Sequence, residues 1–187
     1  MRMMLPAAEG LRDPTSTIRL RAPPTPLPVM KNRNFHWPLA VLLLMIALGA
    51  DAGSGVRPYD QGYDPARDPA ADLQLAIADA TAENKKILLK LGGDWCSWCL
   101  ILDRFVANND EVRQAYEQTF VTVKVNVSED NMNEAFLASY PEAGGYPFLI
   151  ILAASGKFID TQDTGVLEDG RGYSAERFMA FVDRYRD

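Results

Sequence analysis

Two cysteines, Cys96 and Cys99, are the only thiols in the 187-residue chain, and they stand three positions apart in Trp95-Cys96-Ser97-Trp98-Cys99. Ahead of them lie an apolar run, Ile87–Leu91, and the turn-forming Gly92-Gly93-Asp94; after them the pattern turns helical. A cysteine at a helix N-terminus faces unpaired backbone N–H groups and the positive end of the helix dipole. Both favour the thiolate and lower the thiol's pKa. A thiolate attacks a disulfide to give a mixed disulfide, and a second thiol one helical turn on can displace the product. Two cysteines at this spacing suffice for that chemistry. Two other readings of the residues stay open. One is a structural disulfide, although so short a loop restrains the unfolded chain little. The other is half of an intermolecular metal site.

Composition removes several alternatives. Two cysteines cannot form a multi-bridge framework or a four-cysteine zinc site. The one histidine, His36, precedes the globular part, so that part holds neither a Cys/His metal site nor a Ser-His-Asp triad. Leu100 stands where a c-type haem motif needs histidine. Residues 1–52 hold six basic and three acidic residues, a net of +3, and residues 53–187 hold thirteen and twenty-two, a net of −9. An acidic body without a basic stripe argues against nucleic-acid binding and reads as ordinary solubility.

The elements that must position the cysteines follow from periodicity. Asp68-Pro69 is an N-cap followed by proline at the first helical position. Leu73, Ala76, Ile77 and Ala80 then form an apolar stripe to about Asn84. Ile87–Leu91 reads as a buried strand. Cys99, Leu102, Phe105 and Val106 share a helical face, and Val112, Ala115 and Tyr116 mark further helix. Phe120–Val127 alternates as a strand, Asp130–Tyr140 reads as helix, and Pro141–Tyr146 as a loop. Pro147–Leu152 and Lys157–Thr161 pair across a Ser155-Gly156 turn. Ser174 caps a last helix with Phe178, Phe181, Val182 and Tyr185 on one face. A β-α-β crossover followed by a hairpin predicts an α/β domain with a mixed four-stranded sheet and helices on both faces.

Ile87–Leu102, ILLKLGGDWCSWCLIL, resembles the thioredoxin-fold thiol-disulfide oxidoreductases, and is most similar to their exported bacterial branch with its WCxWC motif. A second match is Gly144–Ile150, GGYPFLI, where the family carries a cis-proline at the start of a core strand beside the active disulfide. The resemblance covers about 68–187 and implies a thioredoxin-like fold, a cis bond before Pro147, Cys96 as nucleophile and Cys99 as the more buried resolving thiol. It implies that Trp95, Trp98, Tyr146 and Pro147 meet substrate, the last two through backbone groups. Trp95 is otherwise a core residue, and Trp98 otherwise a cap on its own helix. The chain departs from thioredoxins proper at three positions: Ser97-Trp98 for Gly-Pro, Leu100 for lysine, and Lys90 where the family buries an aspartate. Lys90 either points inward, lowering a thiol pKa, or faces solvent, as strand lysines usually do. Asp94 either tunes Cys96 or is a turn residue.

Upstream, Met30–Asn34 is positively charged, Pro38–Ala50 is almost wholly apolar, and Ala50-Asp51-Ala52 has the small-residue pattern of a cleavage site. That is the order of a secretory signal, and the apolar run is short of the roughly 20 residues a spanning helix needs. Residues 30–52 are thus expected to be a signal peptide, or a membrane tether if uncleaved. Residues 1–29, with six prolines, read as a disordered extension or a mis-assigned start; 53–67 read as a linker and 68–187 as the domain.

The expectation is an exported, periplasmic, monomeric oxidoreductase that trades dithiol and disulfide with protein thiols. It needs no cofactor or metal and is served by a membrane thiol relay or oxidase. The alternative is a non-catalytic binding module of the same fold with a structural disulfide. Direction — reductase, oxidase or isomerase — is not encoded by any rule that Ser97-Trp98 or Tyr146 obey.

Overall fold

A computed structural model describes residues 57–186. The extension, the signal segment and its cleavage site fall outside the described residues.

Helix α1, Pro69–Glu83, starts where the Asp68 side chain accepts a hydrogen bond from the Ala70 amide and Pro69 fills the first position. It stops at Asn84, which takes a left-handed conformation (φ 54°). Strand β1, Lys86–Gly92, leads through a turn at Asp94-Trp95 into α2, Ser97–Asn108. Helix α3, Asp110–Thr119, runs into β2, Phe120–Asn126. A single turn, α4, Glu134–Leu137, precedes β3, Phe148–Leu152, and β4, Phe158–Asp163. A small ribbon of β5, Glu168–Asp169, and β6, Gly172–Tyr173, ends at α5, Ala175–Asp183, whose cap is the Ser174 side chain.

The sheet order is β2-β1-β3-β4, with β1 parallel to β2 and antiparallel to β3, and β3 antiparallel to β4. This is the mixed four-stranded sheet expected. Strand β1 is central, so both of its faces are buried, and period two sorts its residues. Ile87, Leu89 and Leu91 join Val121, Val123 and Val125 against Leu73, Ala76 and Ala80 of α1. Leu88 faces the opposite layer, with Leu102 of α2, Val112 and Tyr116 of α3, and Phe178 and Phe181 of α5. Lys90 and Gly92 share the parity of Leu88, so β1 turns a cation and a gap toward α2.

The structure departs from the sequence reading in three places. The helix expected over Asp130–Tyr140 shrinks to Glu134–Leu137. Asparagine side chains take over the backbone there: Asn126 Nδ2 donates to the Asn131 carbonyl (2.9 Å), Asn133 Nδ2 donates to the Asn126 carbonyl (2.8 Å), and Asn133 sits at φ 51°. The second hairpin strand runs to Asp163, past the expected Thr161, and exposes Phe158 and Ile159. The described part of the expected linker, 57–67, is packed on the domain. Tyr59 and Tyr63 are buried, Arg57 pairs with Glu83, Tyr59 donates to Asp79, and Arg67 Nε donates to Asp72 Oδ2 at 2.7 Å.

The cap of α1 gives a direct check. Asp68→Ala leaves the Ala70 amide without its acceptor and should cost about 1 kcal/mol in urea unfolding, with an unchanged denaturant slope.

Candidate functional site

Cys96 and Cys99 form a disulfide, with their Cα atoms 5.2 Å apart. Cys96 is the N-cap of α2 and lies outside the helix. Its amide donates to the Gly93 carbonyl (3.0 Å), and its Sγ accepts the Cys99 amide (3.1 Å). The Cys99 amide at this helix start is therefore shared between the Cys96 carbonyl (3.1 Å) and the Cys96 sulfur, and its pull on the sulfur is the kind a thiolate there would require. Cys99, one turn down, is wholly buried, and Cys96 retains 4% exposure.

Glycines permit this approach. A Cβ at Gly92 would overlap the Cys99 Sγ and meet the Tyr63 hydroxyl at 3.3 Å. One at Gly93 would collide with the Trp95 indole, which lies across that residue and donates through Nε1 to the Val127 carbonyl (2.8 Å). Val127 is also held by its own amide, which donates to the Gly92 carbonyl.

The predicted site residues converge unequally. Trp95 is 60% exposed, so it is not a core tryptophan, and it meets Tyr146 edge-on with ring centroids 5.8 Å apart. Tyr146 is half-buried and packs on the cysteine pair, and the Tyr146–Pro147 bond is cis. The Pro147 carbonyl already accepts a hydrogen bond from Thr164 Oγ1 (2.7 Å). Trp98 is half-buried, wedged edge-on against Tyr173 (5.6 Å) between the cysteines and the α2–α5 core. Asp94 is exposed in the turn. Beside the disulfide, Trp95, Val127, Met132 and Tyr146 line a groove of about 610 Å3 with Glu129 and Asp130 in its wall.

Lys90 does not face solvent. Its ammonium is buried beneath the active helix and bonded to Asp103 Oδ1, while Lys124 Nζ reaches Asp103 Oδ2 at 3.1 Å. Lys90 and Lys124 are partners in the parallel register of β1 and β2, so two like charges stand side by side. The Asp103 carboxylate bridges them. Burial lowers the Lys90 pKa, which Asp103 only partly restores. For Asp103, burial pushes up and the two lysines pull down harder, leaving it below the ordinary carboxylate value.

Sequence reasoning missed Asp103, Lys124 and Tyr63. Asp103 lies four residues after Cys99 on one helix face, a spacing that could have revealed it. Lys124 could be found only through strand register, and Tyr63 lay in a stretch without periodicity.

Comparison with known proteins agrees with the geometry. Residues 68–154 match the family model described as Thioredoxin-like. A solved disulphide isomerase from Xylella fastidiosa Temecula1 superposes with TM-score 0.56 at 26% identity, covering 65% of this chain and 94% of that one. Thiol:disulfide interchange protein DsbD of Tatumella citrea is 28% identical over 117 residues, 62% of this chain and 19% of the relative. Spermatogenesis-associated protein 20 of Homo sapiens is 31% identical over 83 residues, 42% of this chain and 11% of the relative. The chain thus spans a fifth or less of the length of these curated relatives. With its mixed sheet and its cysteine pair at the head of α2, the domain has the thioredoxin fold, and residues 68–154 carry the Thioredoxin-like match.

Asp103→Asn leaves Lys90 buried beside Lys124 without a counter-charge and should destabilise the protein by about 3 kcal/mol at neutral pH. Because the native Asp103 pKa is lowered, its contribution is complete above the ordinary carboxylate range and is lost as pH falls through its native value. The gap between variant and wild type in urea unfolding should therefore close in acid. Gly92→Ala should cost about 1–3 kcal/mol in the oxidised protein by the same measurement, from overlap with the Cys99 sulfur.

Proposed function

We propose that the protein is an exported thiol-disulfide oxidoreductase that exchanges dithiol and disulfide with protein substrates through Cys96 and Cys99. The observation that carries this reading is the amide of Cys99 donating to the Cys96 Sγ at the start of α2. A donor aimed at that sulfur stabilises it as attacking thiolate and as leaving group alike, so Cys96 is the nucleophile. Cys99, enclosed one turn below, is the resolving thiol.

In the oxidising direction a substrate thiolate attacks Cys96 Sγ, the Cys96–Cys99 bond breaks, and Cys99 takes the electron pair and a proton. A second substrate thiolate then releases Cys96. The reducing direction is the reverse. Substrate lies as an extended segment along the groove of Trp95, Met132 and Tyr146 and pairs with backbone at Tyr146. The Pro147 carbonyl is engaged by Thr164, so the contact expected of that residue falls to its ring and its neighbour. Trp98, wedged against Tyr173, supports the helix start from below.

The order of charged, apolar and small residues over 30–52 supports export, and the similarity to DsbD supports a redox partner in the membrane, a thiol relay or an oxidase. Among the described residues no helix is long and apolar enough to cross a membrane.

Cys96→Ser should abolish reduction of insulin disulfides, and Cys99→Ser should accumulate mixed disulfides with substrate. Labelling of Cys99 ahead of Cys96 by limiting alkylating reagent would reverse the two roles. A Cys96/Cys99 potential below about −300 mV with no exchange activity would instead mark a structural bond in a binding module.

A further inference from the structure

Tyr63 stands in the stretch that reads as a linker, yet it is only 3% exposed and packs in one cluster with Cys96 and Cys99. Its hydroxyl is buried and has no hydrogen-bond partner. Leaving a buried donor unmet costs about 1–3 kcal/mol, so such a group is rarely retained without a use. Its neighbour identifies the use. The Cys99 sulfur and the Tyr63 hydroxyl flank one point, the place where Gly92 would carry a Cβ, and in the disulfide form they make no hydrogen bond to each other. A disulfide sulfur is a weak acceptor, whereas a thiolate accepts strongly.

We propose that the Tyr63 hydroxyl donates a hydrogen bond to the Cys99 thiolate formed once the disulfide opens, so that the ionised sulfur satisfies a group the disulfide leaves unmet. This deepens the oxidoreductase reading and rests on it for its functional meaning. Tyr63 acts as a donor and not as a base. Burial first, and then Asp103, Tyr116, Asp60 and Asp94, push its pKa well above the ordinary phenol value, so the proton stays on oxygen. Lys124 lies over the ring face, 5.6 Å from its centroid, and Lys90 is held by Asp103. In the resolving step Cys99 gives up its proton and its sulfur attacks Cys96 Sγ. The Cys96–Cys99 bond forms and the Cys96–substrate bond breaks. The substrate sulfur leaves with the electron pair and takes up a proton. The Tyr63 hydroxyl lowers the cost of the Cys99 thiolate before attack.

Tyr63→Phe removes the oxygen and keeps the ring. In a Cys96→Ser background, the Cys99 titration is followed by the 13Cβ shift with and without Tyr63→Phe. The midpoint should rise by about one pH unit, a tenfold loss of thiolate, the size of one charge-assisted hydrogen bond. In the otherwise unaltered chain, at a pH above the Cys99 midpoint, the glutathione equilibrium should move about tenfold toward the disulfide, about 30 mV for this two-electron couple. The reduced form should lose thermal stability while the oxidised form keeps or gains it. An unchanged Cys99 midpoint, or equal loss of stability in both redox forms, would overturn the proposal. The titration involves no substrate. A protein inert toward insulin with a Tyr63-dependent midpoint would therefore sink the oxidoreductase reading alone. An active one with an unmoved midpoint would sink this proposal alone.

Discussion

Where β1 ends at Gly92, the sheet, the first turn of α2 and the amino-terminal arm occupy the same few cubic ångströms. The Cys99 sulfur fills the space of a missing Cβ, and Tyr63 closes the other side. Any larger residue would push α2 away from the strand, because protein interiors close-pack and cannot absorb an extra methyl at no cost. With α2 displaced, the Cys99 amide would no longer point at the Cys96 sulfur, and the Val127 amide would lose the Gly92 carbonyl it bonds. The placement of the cysteines, the seat of the Trp95 indole and the wall of the groove all follow from one absent side chain.

A second constraint lies one residue pair earlier. Lys90 and Lys124 are neighbours across parallel strands and face α2, an arrangement that repels unless something intervenes. Asp103 intervenes, and its place four residues after Cys99 ties the face that holds the buried Cys99 sulfur to the face that neutralises the sheet. Family resemblance places an aspartate in the strand at this position. Here the strand supplies a cation and the helix supplies the acid, so a carboxylate remains under the active helix while its element changes.

The arm from Arg57 to Arg67 shows how such a site is closed. Its ion pairs and hydrogen bonds run to Asp72, Asp79 and Glu83 on α1, on the far layer of the sheet. Tyr63 meanwhile reaches the cysteines. The arm therefore links the helix on one face to the redox pair at the end of the central strand, and it seals Cys99 from solvent.

Much of this was legible in the sequence. The caps Asp68 and Ser174, the apolar strands and the Cys-x-x-Cys at a strand-to-helix junction are local signals, because capping, side-chain alternation and helix-end electrostatics act within a few residues, whereas the cis bond before Pro147 was expected from the family resemblance alone. What remained hidden depends on register and on distant contact. The partnership of Lys90 with Asp103 and Lys124 needs the strand pairing, and the collapse of the expected 130–140 helix needs the Asn126 side chain to reach the Asn131 carbonyl and the Asn133 side chain the Asn126 carbonyl. Tyr63 gave no signal at all: its chain segment has no periodicity, and its burial comes from Cys96, Cys99, Trp98 and Tyr146 meeting it in space. Sequence determined where the two sulfurs stand and which turn presents them; tertiary structure decided what surrounds them, since burial and charge pairing belong to residues brought together by the fold.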